Sequence, residues 1–594
     1  MLMAPAAQAA DPQPYTVSLP PTGEAPLDRA LTDSATLIGL KDKAPVGPFA
    51  LLTRARADRD RLTTALASFG HYDGQVGITM MGRDIDDAGL PDALDAATGP
   101  VEVKIAVTPG VTYTLGRLEI TGPEDLGEAR DALKLASGAP ARAADVLAAQ
   151  ARMLDALRTS GHALAVVDKP DARLDPARKT VDVTWRVTAG PTVDLGPITV
   201  AGLDRVDEAY VRRRLLIHPG ERFDPAKIEA ARQDLAATGV FATVRAKAAD
   251  GLDPAGQLPI AIDVVERPRH VVGATAAFST DLGASAGVTW SHRNLFGQAE
   301  RLDLGAAVTQ LGGSASRGSG YDVNAALTKP DVFRRDQTVT VSLRAVKENL
   351  DAYDRTAFLA GVQGSRKLTD TLTATAGVQG QQSHITQEGM TRDYTLVGLP
   401  VGLRYDSTGA QGLFEPTQGI KASMTATPTA SLGAGSNFAI VQISGSTYFD
   451  LAAPGRSVIA VRATLGTVQG AGRFQVPPDQ RLYAGGSATV RGYKYQSVGP
   501  KFADLRPTGG TSLGAATVEY RQRFGESFGA ALFVDAGQVD SKSTPFAAQL
   551  RAGAGVGARY YTPIGPIRLD VALPLNKQRG DDTFELYIGI GQTF

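Results

Sequence analysis

The 594-residue sequence contains no cysteine, so disulfide bonds and thiolate chemistry are excluded. Its formal net charge is −1, from 61 basic and 62 acidic residues, which leaves no global field to recruit nucleic acid. No run approaches the roughly 18 uninterrupted apolar residues of a membrane-crossing helix, so the chain can be integral to a membrane only as a β-barrel. The six histidines (His71, His162, His218, His270, His292 and His384) are scattered and share no metal-ligand spacing. The sequence offers no enzyme constellation and no cofactor motif. The run Gly553-Ala554-Gly555-Val556-Gly557 is glycine-rich like a phosphate loop, but no nucleotide-binding helix follows it. It reads as a strand with a small inward face.

What the chain has is alternation. Phe584, Leu586, Ile588, Ile590 and Phe594 fall on one face of the last segment, and Glu585, Tyr587, Gly589, Gly591 and Thr593 on the other. Ile567, Leu569, Val571 and Leu573 interleave Arg568, Asp570 and Ala572; Val518 and Tyr520 interleave Glu519, Arg521 and Arg523. A soluble sandwich also alternates, but its apolar face must fill a side-chain core, and the Ala-rich faces here would make a thin one. In a membrane barrel the apolar face needs only to meet lipid while the charged face lines a lumen. The 65 glycines, above the roughly 7% average, suit strands and turns.

The amino-terminal side repeats itself. The strand residues 101–107 run into Gly110 and residues 181–187 into Gly190, 80 residues later; the strands that follow end at Gly122 and Gly202, again 80 apart. A third closing strand carries Leu258, Ile260, Ile262 and Val264. Each unit encloses a helix that stops at glycine (Gly70, Gly161, Gly239). The clearest has Asp224 as N-cap, Pro225 in its first turn and Ile228, Ala231 and Leu235 as its apolar stripe; Val146, Ala149, Met153 and Leu157 form the stripe of the second. The expected division is residues 1–10 as a truncated signal peptide or tail around Ala7-Gln8-Ala9-Ala10, modules at 11–112, 113–192 and 193–269, and a barrel at 270–594. The sheet edges of such modules are open to an incoming strand, or the modules are only spacers.

Several of these segments resemble a known family. Pro219-Gly220-Glu221-Arg222-Phe223-Asp224, with its helix and Leu235-Ala236-Ala237-Thr238-Gly239-Val240-Phe241, is similar to the POTRA module of the Omp85 superfamily. Arg293-Asn294-Leu295-Phe296-Gly297, Tyr405-Asp406, Pro416-Thr417-Gln418-Gly419, Val490-Arg491-Gly492-Tyr493, Phe533-Val534-Asp535-Ala536-Gly537 and Thr562-Pro563-Ile564-Gly565-Pro566 resemble its barrel segments. The resemblance implies three α+β POTRA-like modules followed by a 16-stranded antiparallel transmembrane β-barrel in the bacterial outer membrane, the modules being periplasmic. It also implies that the loop carrying Val490, Arg491, Gly492 and Tyr493 folds into the lumen, where Arg491 meets Asp535 beside Phe533.

From the joined parts we expect clients to enter through the seam between the first and last barrel strands. That seam is expected at Gly273, Ala274, Thr275, Ala276, Ala277 and Phe278 on one side and Leu586, Ile588, Gly589, Ile590, Gly591 and Phe594 on the other, with glycine weakening the ladder. Three modules resemble the TamA branch of the superfamily most, which implies a TamB-like inner-membrane partner reached through the first module, unfolded outer-membrane protein clients and contact with outer-membrane lipid. A secretion pore for one dedicated soluble client, a lipid-transport bridge and a structural tether remain as alternatives.

Overall fold

The structure is a computed structural model describing residues 12–122, 126–409, 415–433, 435–452, 455–562, 565–590 and 592. The tail through Asp11, Pro563-Ile564, Gly591, Thr593 and Phe594 lie outside the described residues. The chain forms two compact units: one holds the residues up to Ala201 with Leu215–Gln233 and Arg245–Asp263, the other Gly202–Arg214, Asp234–Val244 and everything from Val264 onward.

Among the described residues, three small sheets precede the barrel. In the first, Val101–Thr108 lies between Tyr15–Ser18, parallel to it, and Gln75–Met80, antiparallel. The alternation of Val101, Val103 and Ile105 turns these side chains onto the helices Ala25–Ser34 and Pro48–Ser68, whose Leu27, Leu31, Leu51 and Leu62 complete the core. In the second, Thr114–Thr121 runs parallel to Thr180–Thr188, and the fully buried Trp185 packs with Val146, Ala149, Met153 and Leu157 of the helix Ala143–Thr159. The third has the order Phe241–Ala248, Leu258–Glu266, Leu195–Ala201. Its helix Pro225–Ala237 is capped as expected: the Asp224 carboxylate accepts from the Ala226 N–H at 2.8 Å. Gly70, Gly161 and Gly239, just past the helix ends, have φ of +90°, +104° and +77°, the left-handed turn that frees the chain from the helix.

The barrel strands, numbered from its start, are β1 (His270–Ser279), β2 (Gly283–His292), β3 (Arg301–Gly312) and β4 (Gly320–Lys329). Then come β5 (Gln337–Asn349), β6 (Asp354–Lys367) and β7 (Leu372–Gln387). The eighth, β8, consists of Met390–Gly398 and Val401–Asp406, both paired to β7 and to β9 (Gly419–Ser431). The break falls at Leu399-Pro400, where proline has no N–H to give the ladder. The remainder are β10 (Phe438–Ala452), β11 (Ser457–Gln469), β12 (Ser512–Phe524) and β13 (Phe528–Asp540), followed by β14 (Arg551–Thr562), β15 (Gly565–Pro574) and β16 (Glu585–Ile590). With β8 counted once, sixteen antiparallel strands close on themselves among the described residues.

The two faces expected from the alternation are those observed. On β13, Leu532 and Val534 are 56% and 51% exposed, while Phe533 and Asp535 are 3% and 1% exposed. An apolar outer wall left uncovered by protein and a charged inner wall is the lipid-solvated arrangement.

Candidate functional site

Residues 470–511 join β11 to β12 and fold into the lumen. Two short helical turns, Arg473–Gln475 and Pro478–Gln480, and the bridges Leu482 to Gly510 and Ala484 to Val498 give the loop its own scaffold. One side is held on the β6–β7 wall: Arg355 pairs with Asp479 at 2.9 Å, and Arg481 donates to Gln387 Oε1 at 2.9 Å. The other side reaches β12 to β16 through the Val490-Arg491-Gly492-Tyr493 segment.

Arg491 is 1% exposed. Its Nε and Nη2 donate to Asp535 Oδ2 and Oδ1 at 2.7 and 3.0 Å, and its backbone N–H donates to Oδ2 at 3.0 Å. This is the two-pronged geometry that suits guanidinium and carboxylate. Nη1 donates to Glu519 Oε2 at 2.8 Å and lies 3.5 Å from Asp570 Oδ2, and the guanidinium carbon sits 3.3 Å from the Phe533 ring centre. Behind these carboxylates, Arg521 pairs with Glu519 and Arg559 with Asp570, and Arg568 approaches Asp570. Four guanidinium groups therefore interlock with three buried carboxylates. Such a lattice fixes position and stores no reactive group; it fastens the loop to the wall.

Gly553 on β14 is the bed for this loop, and the two glycines that follow it in the run make room for the barrel side of the lattice. A Cβ on Gly553 would overlap the Arg491 carbonyl, one on Gly555 the Phe533 ring, and one on Gly557 the Asp570 carboxylate. Val490 packs over Gly537, the Gly492 N–H donates to the Tyr587 hydroxyl at 3.3 Å, and the Tyr493 hydroxyl donates to Asn576 Oδ1 at 2.6 Å. Sequence reasoning paired Arg491 with Asp535 and missed Glu519, Asp570, Arg559, Asp479 and Arg355 as partners. The inward phase of Glu519, Arg521, Arg568 and Asp570 was visible in the alternation, but their convergence was not.

Among the described residues the seam is the most sparsely paired junction of the barrel. Where β1 pairs with β2 over ten residues, it pairs with β16 at only two positions, Phe278 to Ile588 and Ser279 to Tyr587. The register would continue to Ala277 opposite Gly589, but the ladder stops there. Gly273, Ala274, Thr275, Ala276 and Ala277 bond to β2 and have no partner on β16 among the described residues. A cavity of about 810 Å³ borders this stretch, lined by Ala274 through Ser279 and by Ile588, Gly589 and Ile590.

The paired end is clasped. The Thr280 N–H donates to the Leu586 carbonyl and the Leu586 N–H to the Thr280 hydroxyl oxygen, both at 3.0 Å, while that hydroxyl meets the buried Glu585 carboxyl. Gly591 and Phe594 of the expected seam lie outside the described residues.

Residues 294–594 match the Omp85 superfamily domain, and residues 193–267 match a POTRA family described as a surface antigen variable number repeat. The outer membrane protein assembly factor BamA of Neisseria meningitidis serogroup B is 22% identical over 553 residues, covering 83% of this chain and 68% of that protein. BamA of Nitratidesulfovibrio vulgaris is 22% identical over 500 residues, covering 80% of this chain and 61% of that protein. The chain thus spans about two thirds of the length of these relatives. The crystal structure of Haemophilus ducreyi BamA lacking POTRA domains 1–3 superposes with a TM-score of 0.67 at 19% identity, over 80% of this chain and all of that one.

Proposed function

The chain belongs to the Omp85 superfamily, and from that premise we propose that it assembles other outer-membrane proteins by admitting their strands through the β1–β16 seam. It resides in the bacterial outer membrane with its amino-terminal modules in the periplasm. The observation that carries the proposal is the two-residue ladder at the seam. A free β1 edge inside a membrane is costly, since each unpaired N–H and C=O lacks water. An incoming client strand would satisfy it, as strand addition does elsewhere. The outer strands Tyr15–Ser18 and Phe241–Ala248 supply edges on which a client is held beforehand. The loop filling the lumen disfavours the alternative of a pore that exports a soluble client, because that route must first displace Arg491 from its lattice.

Because the chain has no cysteine, a single engineered pair is unambiguous. Phe278→Cys with Ile588→Cys places two thiols on directly opposed positions, within reach of a disulfide. Insertion of a client barrel into vesicles is expected to fall to background on oxidation and to return on reduction. A cross-linked chain that inserts clients at the unlocked rate would refute seam entry.

The three modules support, as the finer part of this reading, a TamB-like inner-membrane partner engaged through the first module. That partner is expected to co-purify with the full chain and not with a chain lacking residues 12–112. Equal recovery with both chains would remove the assignment.

A further inference from the structure

We infer that the outer wall of β1 to β6 binds an anionic phospholipid, with an acyl chain in a furrow and its phosphate at the rim formed by His270, His292, Arg269 and Arg293. The furrow has a volume of about 540 Å³. It crosses the strands along direct ladder neighbours: Val272 opposite Trp290, Trp290 opposite Leu304, Leu304 opposite Ala325, Ala325 opposite Leu343. Alanines 306, 325 and 345 make its floor, and Val288, Val323 and Phe358, all more than 45% exposed, stand along its sides. Four inter-strand gaps of roughly 4.8 Å give a length of about 19 Å.

The strands β2 to β6 bordering this furrow are paired on both sides, so along them the wall offers hydrocarbon contact and no strand edge. In a lipid-solvated wall, an acyl chain is the occupant that fits.

One end is chemically distinct. Trp290 belongs to the furrow and also stacks on His270, with ring centres 5.4 Å apart; His270 meets His292 edge-on at 4.9 Å. An indole and two imidazoles at a strand end mark the membrane–water interface. Directly beyond the histidine pair, the Arg293 N–H donates to the Arg269 carbonyl at 2.9 Å, which sets the two residues side by side at that end, and the Arg293 Nη1 donates to the Pro268 carbonyl at 3.3 Å. Neither has a carboxylate within ion-pairing distance among the described residues. His292 is 8% exposed, and its Nδ1 has no hydrogen-bond partner among the described residues. A buried polar atom without a partner asks for one, and a phosphate or ester oxygen at the head of a chain lying in the furrow would supply it, with guanidinium groups neutralising the charge.

Trp290 is the natural reporter, because the other tryptophan, Trp185, is buried in the second module and gives a constant background. In phosphatidylcholine vesicles holding the full chain, acyl-brominated phosphatidylglycerol is expected to quench Trp290 several-fold more than acyl-brominated phosphatidylcholine at the same mole fraction. The excess is expected to vanish in Arg269→Gln/Arg293→Gln and in Ala325→Leu, which fills the floor. Equal quenching by both lipids in the unaltered chain overturns the site, as does an excess that survives both variants. Insensitivity to either lipid would mean that protein, a second copy or a client, covers Trp290, and it overturns the site equally.

Discussion

Replacing Arg491 with alanine is expected to release the lumen loop and to cost the barrel roughly 3–5 kcal/mol, the scale set by breaking a buried ion pair from one side. The reason lies in what remains. Asp535, 1% exposed, takes three hydrogen bonds from Arg491 and no other ion pair among the described residues, so its buried charge would lose its ion partner. Glu519 and Asp570 keep Arg521 and Arg559 and are affected less. Two further variants separate charge from shape. Arg491→Lys retains the cation but loses the two-pronged geometry and the stacking on Phe533, and is expected to lie between the parent and the alanine variant. Arg491→Leu combined with Asp535→Leu removes both charges and is expected to recover much of the stability. The folded-barrel band on unheated gels, followed against temperature, gives the order, and planar-bilayer conductance reports whether the loop has left the lumen. If Arg491→Ala melts with the parent and conducts no more, the lattice does not hold the loop.

A single methyl group should act nearly as strongly from the other side. In Gly553→Ala the new Cβ would overlap the Arg491 carbonyl, which is backbone and not the free end of a side chain that can swing away. Overpacking of this kind costs about 1–3 kcal/mol in ordinary cores, and a collision with backbone puts this one at the upper end. The strand cannot retreat, because Gly553 is locked between Asp535 on β13 and Pro574 on β15; the loop is what yields. Trypsin cleavage after Arg491 or Lys494 in the intact barrel is expected to appear in Gly553→Ala and to stay absent in Ala554→Val, whose added bulk lies on the opposite, lipid-facing side. Cleavage in both or in neither would show that Gly553 is not the bed of the loop.

These two variants also show how much of the site was legible beforehand. The inward phase of Asp535 followed from its neighbours Leu532 and Val534, and the glycine run was recognisable as a small inward face. Why that face must be small was not legible, since the reason is the carbonyl of Arg491, 62 residues earlier, resting on it. Likewise the weakness of the closing strand was expected from Gly589 and Gly591; among the described residues its pairing with β1 stops at Ile588. The clasp of Thr280 with Glu585 and Leu586 joins residues 305 and 306 positions apart and left no trace in any local pattern.

Local rules acting on the sequence determined the repeated modules, the helix caps and stops, and the two-faced strands, because side-chain alternation, capping and glycine turns act over a few residues. Closure decided the rest. Which inward charges the loop meets and how far the last strand zips to the first depend on the stagger between segments distant in sequence, and only the closed ring sets that stagger.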